Sequence, residues 1–228
     1  MTEKRTKKDE AAEATERVMD AIVTQALAPS QKVSENILSD MFGFSRTLAR
    51  NLIERLTAKH FLTPLSPRVT VVAPLTLLEI KQNFTLRKVL LPATFSLAAA
   101  NLDYDKLKVL NRKIQKMQPV RDDATALEVL KKNKELNLTL CAQAGYPLML
   151  DWAQQLEDTA MRIYWLYVKT RGHFPYSSDQ QGMILDVMKS DESSKIQAAI
   201  LSTLSQTEER ILNAIFTHEQ FYNQDLTV

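Results

Sequence analysis

The sequence predicts a mainly α-helical chain. Three helices and a β-hairpin come first, followed by an all-α antiparallel bundle of six or seven helices. Three observations lead there. Only 4 of the 228 residues are glycine. Most segments repeat apolar residues at i, i+3, i+4 and i+7, the spacing of one helix face. Convincing strand signals occur only at Phe61-Leu62-Thr63 and Val69-Thr70-Val71-Val72.

The first helix carries the stripe Val18, Ile22, Ala26 and Leu27 and is expected to end at Pro29. Ser34 suits the N-cap of a short helix carrying Ile37, Leu38 and Met41. Phe42-Gly43-Phe44 reads as a tight turn in which Gly43 can take a positive φ. Ser45 can then cap a third helix whose inner face is Ala49, Leu52, Ile53 and Leu56. The two strands flank Pro64 to Arg68, where Pro67 favours a turn. Helix, helix, turn, helix and hairpin in that order make a winged helix-turn-helix. The expected division is a flexible arm over 1–10, this head over 11–74, and a helical domain over 75–228 with Pro74 at the boundary. Coarse helices in the second part run over 76–100, 103–118, 122–144, 147–170, 177–189 and 191–217. They are separated at Pro119, Gly145-Tyr146-Pro147 and Gly172 to Pro175.

The composition is that of an ordinary globular protein, 45% hydrophobic and 25% charged. No run of 18 apolar residues spans a membrane. The charged stretch Met1 to Glu10 lacks the apolar core of a signal peptide, so a cytoplasmic location is expected. A lone cysteine, Cys141, fits a reducing compartment and reads as a buried, inert thiol. The first 74 residues hold 11 Lys+Arg against 9 Asp+Glu, and the rest hold 18 of each. The small net charge of +2 therefore sits entirely in the head. From Ser45 to Arg68, five basic residues (Arg46, Arg50, Arg55, Lys59 and Arg68) face only Glu54.

The third helix carries the strongest functional signal. Arg46 and Arg50 are four apart and share a face, with Thr47 and Asn51 beside them. That face opposes the apolar stripe and lies at the helix N-terminus, the end that enters the major groove in this motif. Arginine can grip guanine O6 and N7, and asparagine adenine N6 and N7. Ser45 and Thr47 suit phosphates, Ser34 is a further candidate DNA contact, and Arg68 at the wing tip can reach a neighbouring phosphate or minor groove.

These residues resemble the GntR family of bacterial regulators. The likeness runs through Val33-Ser34-Glu35, Leu38-Ser39, Phe42-Gly43-Phe44-Ser45-Arg46-Thr47, Arg50, Leu52, Leu56 and Val69 to Val72. It implies that Arg46 and Arg50 contact DNA. The chain departs from the family pattern at Val33, Ser39, Phe44, Leu48 and Asn51, and the wing has Ser66-Pro67 where a glycine is usual. The rest of the chain resembles the FadR-type (FCD) helical domain of the same family. The residues concerned are Leu86-Arg87 and Leu90, Asn133 to Leu140, Ala144 to Leu148, Gln181 to Met188, and Ile196 to Thr203. In much of that family one Asp and three His hold a divalent metal inside the bundle. Here Asn133, Asn137, Gln181 and Thr203 (or Ser202) stand at those positions, and His60, His173 and His218 match none of them. Amide oxygens are poor ligands for transition metals, so no metal or other cofactor is expected.

Two readings remain for the polar groups of the bundle. Asn133, Asn137, Gln181 and Thr203 can hydrogen-bond a small metabolite, with Arg87 pairing its carboxylate, a role the resemblance also implies. Alternatively they pair with one another, leaving a domain that only dimerises. Tyr164, Trp165, Tyr167, Phe174 and Tyr176, with Trp152 one helix earlier, read as core packing, with pocket lining or a dimer seam as the alternatives. Met149, Met161, Met183 and Met188 read as core filler. No phosphate-cradling glycine loop, nucleophile elbow or metal-ligand spacing occurs, so no enzyme is expected. The sequence therefore predicts a homodimeric regulator, a repressor in the commoner mode of the family. Its partners would be a pseudo-palindromic double-stranded DNA operator and a small-molecule effector, with no membrane. The alternative is a constitutive dimeric DNA-binding protein without a ligand.

Overall fold

The computed structural model describes residues 7–175, 178–190, 192–216 and 226. The arm expected over 1–10 falls largely outside them, as do Tyr176, Ser177, Asp191, Thr217 and His218. The chain forms two compact units. One comprises residues 1–75 with 225–227, and the other residues 76–224 with 228.

The first unit begins with α1 (Lys7–Val23), β1 (Lys32–Val33), α2 (Glu35–Phe42) and α3 (Arg46–Ala58). It closes with β2 (Leu62–Ser66) and β3 (Val69–Val72). The strands form one antiparallel sheet in the order β1-β3-β2. Its core is Val18, Ile22, Leu27, Leu38, Ala49, Leu52, Leu56 and Phe61 with their neighbours. Removing those side chains from water is the main force holding so small a unit together.

Three expectations need correction here. The first helix stops at Val23, not at Pro29. Gln25 takes φ 61°, which ends the helical path, so Leu27 is buried by the turn while Ala26 is exposed. A third strand, β1, pairs Lys32 with Val71 and Val33 with Thr70. The strand β2 runs on through Pro64 to Ser66, leaving only Pro67 and Arg68 as the turn. Proline fits there because β2 is an edge strand, and the ladder shifts register between Pro64 and Ser66.

The second unit is helical. It contains α4 (Leu77–Ala98), α5 (Tyr104–Lys116), α6 (Asp123–Gln143), α7 (Pro147–Arg171), α8 (Ser178–Met188) and α9 (Ser193–Phe216). A short 3-10 turn, Ala99–Asn101, follows α4. A capping box fixes the start of α4, in which Thr76 and Glu79 satisfy each other's backbone N–H groups. Asp122 caps α6 through Thr125, whose N–H holds the Asp122 carboxyl below its usual pKa. Gly172 ends α7 in the left-handed conformation. Tyr164, Trp165, Tyr167 and Phe174 are buried, and Tyr164 meets Phe174 edge to face at 5.4 Å. Met161 and Met188 are core, as expected. Met183 is exposed and Met149 only half-buried, because each lies on an outward face of its helix.

Candidate nucleic-acid interface and bundle interior

The head presents a preorganised helix end. Ser34 Oγ accepts from the Ile37 N–H at 3.3 Å, and Ser45 Oγ accepts from the Leu48 N–H at 3.2 Å. Each hydroxyl thus satisfies a backbone donor that the first turn would otherwise leave orphaned. Between them Gly43 sits at φ 74°, a conformation open to glycine at no steric cost. Phe42 and Phe44 stack at 5.2 Å, and the Arg17 guanidinium lies 5.0 Å from the Phe44 ring. Arg17 also donates to the Phe42 carbonyl at 3.2 Å. The turn is therefore braced from α1.

Ser34, Ser45, Arg46, Thr47, Arg50, Asn51 and Arg68 are all exposed. One partner was missed in the sequence: Glu35 accepts from Arg50 Nε at 2.7 Å. That bond draws the Glu35 carboxyl below its usual pKa and raises that of Arg50. It engages Nε and not the Nη1–Nη2 edge, which can grip guanine or phosphate bidentately. Glu35 lies 15 residues from Arg50, across the turn, so helical spacing gave no hint of the pair. On the wing, the Arg68 N–H donates to Ser66 Oγ at 3.4 Å, which closes the tight turn in place of a glycine.

In the bundle, four of the five expected ligand-binding residues fall into two hydrogen-bonded groups. Arg87 donates through Nη2 to Glu157 Oε1 at 2.7 Å and through Nη1 to the Tyr164 hydroxyl at 2.5 Å. Asn137 Nδ2 donates to Glu157 Oε2 at 3.0 Å. Separately, Gln181 Nε2 donates to Asn133 Oδ1 at 2.7 Å. Thr203 is half-buried on α9, where its carbonyl accepts the Thr207 hydroxyl at 2.7 Å. Glu157 was not singled out in the sequence as a binding residue, whereas Tyr164 was among the aromatics read as core, pocket lining or dimer seam. The signal available was a Glu157-Asp158 pair set just before the apolar run Ile163 to Val168. Beside them, Asp158 pairs with Lys134 and accepts from Gln154. Burial keeps the Tyr164 phenol protonated, and burial likewise pushes up the Cys141 thiol.

A metal of the kind the family often holds does not fit these side chains. The donor set is neutral amides, two of which already bond each other. The nearby carboxylate of Glu157 is engaged by a guanidinium, and a dication placed there would be repelled by Arg87. Among the described residues, no three His, Cys, Asp or Glu cluster as metal ligands.

The outer side of the helical unit carries a third feature. Leu86, Val89, Leu90 and Ala93 of α4 face Met149, Trp152, Gln155 and Leu156 of α7 across an open groove of about 420 Å³. Val89 is 73% and Trp152 54% exposed. These apolar side chains stand in water along the groove.

Residues 82–206 match the FCD domain, more than half of the chain. The chain belongs to the FCD-domain family. Solved structures share its fold over most of their length. The E. coli protein McbR/YncC superposes with a TM-score of 0.72 at 17% identity, covering 89% of this chain and 97% of that one. A putative transcriptional regulator GntR from Rhodococcus sp. RHA1 gives 0.72 at 17%, covering 90% and 98%. A GntR family member from Pseudomonas syringae pv. tomato str. DC3000 gives 0.52 at 18%, covering 94% and 91%. At these identities the likeness is one of fold. No curated protein matches the sequence. No helix among the described residues of this FCD-domain chain is long and apolar enough to cross a membrane.

Proposed function

We propose that this protein is a DNA-binding transcriptional regulator, not an enzyme, that acts in the cytoplasm as a homodimer on a pseudo-palindromic operator. The observation that carries the reading is α3. Its N-terminus is capped by Ser45, its inner face is core, and its outer face displays Arg46, Thr47, Arg50 and Asn51. That is the layout of a helix laid in the major groove, with Arg68 of the wing placed on the neighbouring backbone. Titration on fragments of the gene's own upstream region, followed by fluorescence anisotropy at several salt concentrations, tests it. Selective sub-micromolar binding is expected. Arg46→Ala or Arg50→Ala should weaken it, reducing the salt slope by about 0.9 for each phosphate no longer neutralised. Equal, weak binding of all fragments by the native protein would overturn the reading.

The groove between α4 and α7 is the proposed dimer face, because a second copy related by a two-fold axis covers the same apolar stripe on each subunit. Repression is the proposed mode. Sensing of a small carboxylate in the bundle is supported by one buried donor without a hydrogen-bond partner, Trp165 Nε1, from which a carboxylate oxygen could accept. One observation favours the second reading, a helical domain that only dimerises. Arg87, Asn133, Asn137 and Gln181 already bond within the chain. Thermal shift against small acids separates the two.

A further inference from the structure

Arg87 and Glu157 form an ion pair with side chains only 2% and 1% exposed. Each charge would be costly there alone. Both carboxylate oxygens of Glu157 are used, one by Arg87 and the other by Asn137. The guanidinium is enclosed in turn. It reaches the Tyr164 hydroxyl, and its carbon lies 5.7 Å from the Phe84 ring centre and 5.4 Å from that of Tyr164. These partners come from α4, α6 and α7, so three helices converge on one carboxylate. A cation, an amide and a nearby phenol around a carboxylate are the parts of a binding site for a small carboxylic acid. Here the acid is part of the chain. Beyond its Cβ, glutamate is a methylene and a carboxylate, the size of acetate.

We propose that Glu157 is a built-in ligand: its side chain holds, on Arg87 and Asn137, the place that a free acetate-sized carboxylate would take. While Glu157 is present the site is closed to external monocarboxylates, and cutting it back opens the site to them. This goes beyond the DNA-binding reading and does not rest on it.

The full-length Glu157→Ala protein tests the proposal by thermal unfolding in sodium acetate against sodium chloride at matched ionic strength. The variant should melt below the native protein. Acetate should raise its melting temperature by about 4 °C or more as it saturates the vacated site. The double variant Glu157→Ala/Arg87→Met should lose that response, and the native protein should show no acetate response that depends on Arg87. If Glu157→Ala folds only when acetate is supplied, the proposal is supported in the same way. A native protein whose melting rises with acetate and loses that rise in Arg87→Met would overturn it, because an external acid would then share Arg87 with Glu157 in place. This arm needs no Glu157 variant to fold. A Glu157→Ala protein that folds but melts alike in acetate and chloride would also overturn it.

Discussion

Replacing Arg87 by methionine keeps an unbranched stem and much of the volume of the side chain but deletes its charge. Glu157 is then left in the helical interior with Asn137 and without its cation, at 1% exposure. Breaking a buried pair from one side typically costs about 3–5 kcal/mol, because the remaining charge has lost both water and partner. For a chain of this size that corresponds to a fall in melting temperature of roughly 6–20 °C. The double variant Arg87→Met/Glu157→Leu removes both charges and should recover most of the loss, since apolar replacements of buried pairs are often neutral or stabilising. Tryptophan fluorescence is the suitable assay. The chain has two tryptophans, and both Trp152 and Trp165 lie in the helical unit, so the signal reports that unit and not the head. A single variant that melts with the native protein, or a double variant no more stable than the single one, would refute the assignment of this pair as a mutually dependent unit.

Other substitutions probe the remaining features. Gly43→Ala forces an alanine to φ 74° with no atom within 4 Å of the added Cβ, so its cost should be conformational strain alone, about 1–2 kcal/mol by denaturant unfolding of the head. Ser45→Ala removes the cap on α3 and should cost about 1 kcal/mol, while also weakening DNA binding. Trp152→Glu places a charge in the α4–α7 groove and should turn a dimer into a monomer in sedimentation, with the Trp165 fluorescence transition retained. Cys141 should resist thiol reagents until the protein unfolds. Above the ordinary thiol value of 9.0 the unfolded chain gains a thiolate that the folded chain does not hold. Stability should therefore decline with rising pH there, and less steeply in Cys141→Ala than in the native protein.

The head was legible because its signals are local. Ser34, Gly43 and Ser45 sit at fixed offsets from apolar stripes, and each does what its chemistry favours at a helix end. The features not legible there depend on residues far apart in the chain. The strand β1 is two residues long and exists only by pairing with β3, nearly forty residues on. Glu35 becomes meaningful when the turn brings it to Arg50. In the bundle, Arg87, Asn133, Asn137 and Gln181 were identifiable as unusual polar groups on helical faces. The resemblance named a role for Arg87 but not Glu157, whose place on α7 is evident only once α4, α6 and α7 are packed together.

The helix α4 does two things with adjacent residues. Arg87 points into the bundle and is buried, while its sequence neighbour Leu86 is 55% exposed and lines the outer groove. One rigid rod therefore carries the ion pair on one side and the proposed subunit seam on the other. A backbone shift that accommodates a new charge state at Arg87 moves Leu86 and Val89 with it, since a helix transmits displacement along its length with little give. In an assembled pair, each copy would sense the other's interior through this single element. Substitutions that tune assembly strength are then expected to change the stability of the interior pair, and the reverse, by equal coupling free energies.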